Sequence, residues 1–372
     1  MDSSFSQKIV VLGTGGTIAG VTTGAPELGR YRAGEVGIEE ILRNSRLVGV
    51  KPHFELMVEQ VCQIDSKDLT VEHWQVLLSR VKAALLNPEV KGLMITHGTD
   101  TLEETAFLLS WLNLTSKPVV LTGAMRAFDA HDSDGAQNLR DAMQVLQALI
   151  EHRMGGVRVV FAGSVYPGHW VQKTNAQSLN AFQSGPNDDS AELIEWGANW
   201  RPRDFEPPAD VWPFVRPNLN TILERGTWPR VDVVMSHAGL VGGSVLQALV
   251  EQKRALQNPQ PSAKLGVDLE GLEGLEGLEG LVVAGTGSGT WSESMREPLL
   301  ELMSMGVTVV LTSRVPWGHE ELRGHPLLIS QESEDNFLED LAKTPLNSQT
   351  QALFSRLQPL KARIALALHL MG

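Results

Sequence analysis

A chain of 372 residues, 42% hydrophobic and 20% charged, has the composition of an ordinary globular protein and the length to bury one or two cores, which excludes disorder of the whole chain. Its 44 acidic residues outnumber 31 basic ones, and a net charge of -13 repels phosphate backbones and anionic lipid, so neither nucleic acid nor a membrane surface is an expected partner. A single cysteine, Cys62, excludes an intrachain disulfide and fits a reducing cytoplasm.

The segment from Met1 to Gln7 lacks a basic region followed by an apolar core, and the first apolar run has only a strand's length, so no secretion signal or membrane span is expected. Through residue 200, strand-like and helix-like segments alternate, which predicts an α/β fold with a mostly parallel sheet. Three strands share one plan, an apolar run that stops at small polar residues: Lys8 to Leu12 into Gly13-Thr14-Gly15-Gly16-Thr17, Gly92 to Ile95 into Thr96-His97-Gly98-Thr99-Asp100, and Pro118 to Leu121 into Thr122-Gly123-Ala124-Met125-Arg126. In an open parallel sheet the chemistry collects at the carboxyl ends of the strands, so these turns are expected to meet.

Between the strands, Thr70 caps a helix with Trp74, Leu77, Leu78, Val81 and Leu85 at helical spacing, ended by Asn87-Pro88. A second carries Leu102, Ala106, Leu109 and Leu112, with Glu103 and Glu104 at the positive end of its dipole, and a third spans Gly135 to Glu151. Strands follow at Val157 to Ala162, Val231 to Met235, Leu281 to Ala284 and Val307 to Leu311. Trp200 to Arg230, rich in Pro, Arg and Trp with little period, reads as an interdomain connection. The expected domains are therefore 1–225, with a linker over 200–225, and 226–372, a smaller parallel α/β domain. Leu-Glu-Gly triplets over 269–280 place a glycine at every third position and read as an expanded surface loop; a docking or calcium site from Glu270, Glu273, Glu276 and Glu279 is the sharper alternative.

The first turn falls short of a dinucleotide fingerprint, because the third glycine position is Ile18 and the distant acid would be Glu35 in a loop; no Gly-Lys-Ser or Gly-Lys-Thr of a Walker loop occurs. Thr17 lies where backbone N–H groups converge and where a hydroxyl can attack a carbonyl, although a threonine that only shapes the turn has the same sequence. Asp100 adjoins Thr99, and a lysine beside an aspartate can shuttle a proton to a hydroxyl; Lys173, among polar residues after a strand, is the candidate. Cys62, in the apolar run Val58 to Ile64, is a poor nucleophile candidate. His97 and His131 lie near the motifs without the spacing of a zinc site, and no metal is expected.

Thr14 to Gly20, His97 to Thr105, and Thr122 to Arg126 with Ser133-Asp134-Gly135 closely resemble the bacterial L-asparaginases and glutaminase-asparaginases. The resemblance runs from about Lys8 to Ser184 and returns in Ala284 to Thr290 and Thr312 to Pro316. It implies that Thr17 is the nucleophile, that Tyr31 closes over the substrate and hydrogen-bonds the nucleophile, and that Thr99, Asp100 and Lys173 form an activating cluster. It further assigns substrate binding to Ser66, Lys67, Gly98, Thr99 and Asp100, with Ser66 on the α-carboxylate and Asp100 on the α-amino group. Ser288 and Glu320 are the candidates for a residue lent to a neighbouring subunit's site.

Lys67 stands where such enzymes commonly carry glutamine, and Trp317 to Glu321 is shorter than usual. The reading is a cytoplasmic, cofactor-free L-asparagine amidohydrolase forming a homotetramer of close dimers. Other readings are a glutamine-preferring or broad amidase, the amidase part of a tRNA-dependent amidotransferase, a nucleotide-dependent oxidoreductase, and a catalytically silent aspartate- or asparagine-binding protein.

Overall fold

The structure is a computed structural model that describes residues 7–24, 30–45, 47, 54–112, 117–184, 191–192, 214–239, 244–257, 277–316, 352–355 and 357–372. Its elements run β1 (Gln7–Gly15), β2 (Val21–Thr22), β3 (Tyr31–Arg32), α1 (Ile38–Asn44), β4 (Phe54–Ile64), α2 (Val71–Leu86), β5 (Val90–Thr96) and α3 (Leu102–Trp111). There follow β6 (Pro118–Thr122), α4 (Gly135–Glu151), β7 (Gly156–Phe161), β8 (Ser164–Pro167), β9 (Gln172–Lys173), β10 (Phe182–Gln183), β11 (Ala191–Glu192) and α5 (Leu219–Arg225). The remainder is β12 (Val231–Met235), α6 (Ser244–Gln257), β13 (Gly280–Gly285), α7 (Arg296–Ser304), β14 (Thr308–Ser313), β15 (Ala352–Phe354) and α8 (Pro359–His369). By its internal contacts the chain divides into one unit of Met1–Pro207 with Asn218–Glu224 and a second of Pro208–Pro217 with Arg225–Gly372.

The first unit is built on a seven-stranded sheet in the order β11-β8-β7-β6-β5-β1-β4, parallel from β4 through β7 and antiparallel at β8 and β11. The β1 run Ile9-Val10-Val11-Leu12 is buried throughout because both faces of the sheet are covered. Ile9, Val11, Met94 and Val120 share a core with Ile41 of α1 and with Leu139, Met143 and Leu146 of α4. The alternate positions turn to the opposite face. Edge strand β4 alternates instead between half-buried and exposed residues over most of its length.

Three local readings change with the structure. Helix α2 buries Ala84 as its last core contact while Leu85 is half-buried, because the helical stripe drifts by a residue over four turns. Strand β14 starts one residue later and continues to Ser313. Residues 219–225, read as part of a connection with little period, form a helix. Asn218 starts it by accepting the Asn220 N–H at 2.6 Å, and Ile222 is its buried anchor.

The second unit carries a fully parallel four-stranded sheet, β12-β13-β14-β15. Val283, Val309 and Leu311 pack with Leu246 and Val250 of α6 and Leu299, Leu302 and Met303 of α7. Helix α8 lies against β12, β13 and β14. The Leu-Glu-Gly tract before residue 277 lies outside the described residues; its last triplet leads into β13, with Leu278 buried.

Candidate active site

Strand register brings the turns together. Gly13 of β1 pairs with Thr96 of β5, and Thr96 pairs with Thr122 of β6, so three chains leave the sheet at one level. On the other side of β1, Gly15 pairs with Ile64, which starts the turn holding Ser66. Glycine then lets the turns touch. Gly16, at φ 81°, sits so close that a Cβ would fall 2.5 Å from the Gly98 nitrogen, and a Cβ on Gly98 would fall 2.5 Å from Ser66 Oγ. Side chains tie the same loops: Thr14 Oγ1 donates to the Thr96 carbonyl and Thr101 Oγ1 to the Ser66 carbonyl, both at 2.9 Å.

Two hydroxyl groups result, each with its own partner. Thr17 sits in the 3-10 turn Thr17–Ala19, buried, with Oγ1 2.8 Å from the hydroxyl of the more exposed Tyr31. Thr99 follows Gly98, and Lys173 Nζ donates to Thr99 Oγ1 at 2.9 Å and to Asp100 Oδ1 at 2.6 Å. Lys173 arrives on β9, whose partner β10 sets Phe182 opposite it. Its backbone N–H donates to the carboxylate of buried Glu103, in the first turn of α3. That second task of Glu103 has no signal in the sequence, where the residue reads only as helix-dipole chemistry. Among the described residues, the backbone N–H groups of Thr17, Gly98, Thr99 and Asp100 donate to no protein acceptor.

His97 underpins this wall. It is fully buried, and its Nδ1 meets the Gly98 carbonyl at 2.8 Å, which makes Nδ1 the protonated nitrogen. Nε2 then accepts from Thr105 Oγ1 at 2.9 Å, and that oxygen accepts the Trp74 indole N–H at 2.9 Å. Burial pushes the pKa of His97 down to about 4, so the ring is neutral and structural. Cys62 is likewise withdrawn: its thiol donates to the Thr14 carbonyl at 3.4 Å, and burial raises its pKa to about 11.

The other sequence candidates divide. Ser66 and Gly98 line the junction of the turns. Lys67 is exposed, its ammonium held by Asp65 at 2.7 Å and Asp68 at 3.0 Å. Ser288 is exposed in the second unit, in the turn between the bridged residues Thr286 and Thr290. Glu320 lies outside the described residues, and His131 is exposed. Among the described residues, no group of three His, Cys, Asp or Glu side chains gathers to hold a metal. None of the described helices is long and apolar enough to cross a membrane.

Fold and site together define an α/β protein that gathers hydroxyl side chains at the carboxyl ends of parallel strands. Residues 8–203 match the model of the family described as "Asparaginase, N-terminal". The chain is 31% identical over 323 residues to the glutaminase-asparaginase of Pseudomonas fluorescens biotype A, covering 85% of this chain and 78% of that one. It is 30% identical over 316 residues to probable L-asparaginase 1 of Schizosaccharomyces pombe, covering 84% and 78% respectively. A crystal structure of a probable cytoplasmic L-asparaginase from Campylobacter jejuni superposes with a TM-score of 0.73 at 27% identity, over 98% of this chain and 95% of that one. The chain belongs to the asparaginase family.

Proposed function

We propose that this protein hydrolyses the side-chain amide of L-asparagine to L-aspartate and ammonia through an acyl ester on Thr17. The observation that carries the reading is the pair of hydroxyl couples on touching turns, Thr17 with Tyr31 and Thr99 with Lys173 and Asp100. In the first half-reaction Thr17 Oγ adds to the amide carbon as its proton leaves along the Tyr31 hydrogen bond. The C–N bond breaks and ammonia departs with a proton. In the second, water adds to the ester carbon, the Thr17 C–O bond breaks, and the threonine hydroxyl is restored with release of the β-carboxylate. Backbone N–H groups of these turns supply donors for the oxyanion of each tetrahedral intermediate.

Thr99, Lys173 and Asp100 form a proton relay aimed at the attacking water, and Asp100 presents its other oxygen to the substrate's α-ammonium. Ser66 takes the α-carboxylate. Lys67 contributes little there, because two aspartates already hold its charge. A homotetramer of close dimers in the cytoplasm completes the proposal: the assembly is supported by the family resemblance alone and the location by the Campylobacter jejuni relative, a probable cytoplasmic L-asparaginase, and light scattering giving four chain masses checks the assembly.

Ammonia release from L-asparagine and L-glutamine, measured side by side for the parent protein, Thr17→Ala and Lys173→Met, tests the reading. Release from asparagine that both substitutions abolish supports it. Release only from glutamine moves the assignment to a glutaminase, a reading favoured by the glutaminase-asparaginase relative. Aspartate binding without ammonia release from either amide overturns the catalytic reading.

A further inference from the structure

Tyr31 has little of its own to hold it in place. It is 40% exposed, so core packing does not fix its ring. It stands on β3, two residues long, paired among the described residues only with β2, also two residues long, and so small a ribbon is unstable alone. The chain just past β3 is tied locally, by the Gly34 N–H to the Gly16 carbonyl at 3.2 Å and by the Glu35 and Val36 N–H groups to the Ala19 carbonyl at 2.7 and 2.9 Å; β2 itself is held from a distant loop. Asp129, between β6 and α4, accepts both donors that Thr22 of β2 offers: the backbone N–H on Oδ1 and the hydroxyl on Oδ2, each at 2.8 Å. Its neighbour Phe128 donates its N–H to the Gly20 carbonyl, also at 2.8 Å. In the antiparallel register Thr22 is the residue directly opposite Tyr31, and the ladder continues with the Thr23 N–H on the Arg30 carbonyl.

We propose that Asp129 is a positioning residue for Tyr31: by clasping Thr22 it sets the β2–β3 ribbon so that the phenol reaches Thr17. A carboxylate suits this work because its two oxygens take a backbone donor and a hydroxyl donor at once, and charge-assisted bonds of this kind are stronger than neutral ones. The clasp joins segments 107 residues apart, so the loop after β6 enters the chemistry without touching substrate. The catalytic consequence rests on the reading of Thr17 as nucleophile.

The test uses the full chain. Tyr31 and Tyr166 are the two tyrosines, so fluorotyrosine labelling gives two 19F resonances, assigned with Tyr31→Phe, and buried Tyr166 on β8 serves as an internal reference. Asp129→Ala is expected to shift or broaden the Tyr31 resonance and leave that of Tyr166 in place; Thr22→Val, which removes only the hydroxyl bond, gives a smaller change in the same direction. Ammonia release should fall about tenfold in kcat with Asp129→Ala, which removes both bonds of the clasp, and by less than about twofold when the same change is made in Tyr31→Phe. An unmoved Tyr31 resonance in Asp129→Ala, or an equal loss of activity in both backgrounds, overturns the proposal. Should the parent protein release no ammonia, the amidohydrolase reading fails while the 19F spectrum still decides the clasp.

Discussion

Gly98→Ala probes the contact on which the site depends. The new methyl would meet Ser66 Oγ at 2.5 Å, Ser66 Cβ at 2.7 Å and Gly16 Cα at 3.1 Å, whereas unstrained carbon contacts begin near about 3.5 Å. Ser66 must therefore retreat by about 1 Å, yet it is buried and its carbonyl is held by Thr101, while Gly16 is anchored through its N–H to the Ile64 carbonyl at 2.8 Å. Overpacking of this kind costs about 1–3 kcal/mol, and the lost freedom of glycine in the unfolded chain returns about 0.4–1 kcal/mol, leaving a net loss of about 1–2 kcal/mol. For a unit of this size that is a fall of about 2–8 °C in melting temperature. The same displacement moves Thr99 and Ser66 from their working positions and is expected to lower kcat/KM about 10²-fold.

Thermal unfolding and ammonia release measured on the same samples give both numbers. Ser66→Gly removes both Ser66 atoms that the methyl meets, so Gly98→Ala made on that background should cost less than about 0.5 kcal/mol further. A Gly98→Ala protein as stable and as active as its parent would refute the argument, because it would mean that the turns yield freely.

Three further outcomes are expected. His97 is neutral when folded and returns to the ordinary 6.5 on unfolding, so the unfolded chain gains a proton that the folded one refuses. Stability should fall from pH 6.5 to about 4, by about 3 kcal/mol in all, at about 1.4 kcal/mol for each tenfold difference in proton affinity, and then level off. Denaturant unfolding at pH 7 and pH 5 should show about 2 kcal/mol of that loss, attenuated in His97→Gln; parallel losses in the two proteins would remove the argument. Cys62, raised by burial from 9.0 to about 11, should react with iodoacetamide at pH 8 about 10²-fold more slowly in the native protein than in denaturant, and comparable rates would contradict its burial. In the second unit, Leu302→Ala empties a fully buried position against β13 and β14 and should cost about 2–5 kcal/mol, read as a lowered melting transition; a change under about 1 kcal/mol would mean that the core collapses around it.

The two hydroxyl couples were legible to different degrees. Thr17 and Thr99 could be singled out because each follows an apolar run that halts at glycine, a pattern that local backbone and burial preferences impose. Lys173 could be named only as a lysine among polar residues and through the family resemblance. Its meeting with Thr99 spans 74 residues and depends on the path from β8 into β9. Glu103 was read as helix chemistry alone, and the Asp129 clasp left no trace, since an aspartate in a turn is ordinary.

From its residues alone, the chain determined the alternation of strands and helices, the mostly parallel character of its sheets and the glycine-rich turns at the strand ends, because periodicity and glycine placement act over a few residues and report burial directly. Tertiary structure decided the level at which Gly13, Thr96 and Thr122 align, the pairing of Lys173 with Thr99 and Asp100, the withdrawal of Lys67 between two aspartates, and the hold of Asp129 on the residue opposite Tyr31. These depend on register and on the routes of loops between elements. A polar side chain gains its hydrogen bonds from whatever those routes bring within 3 Å, and no local pattern encodes that distance.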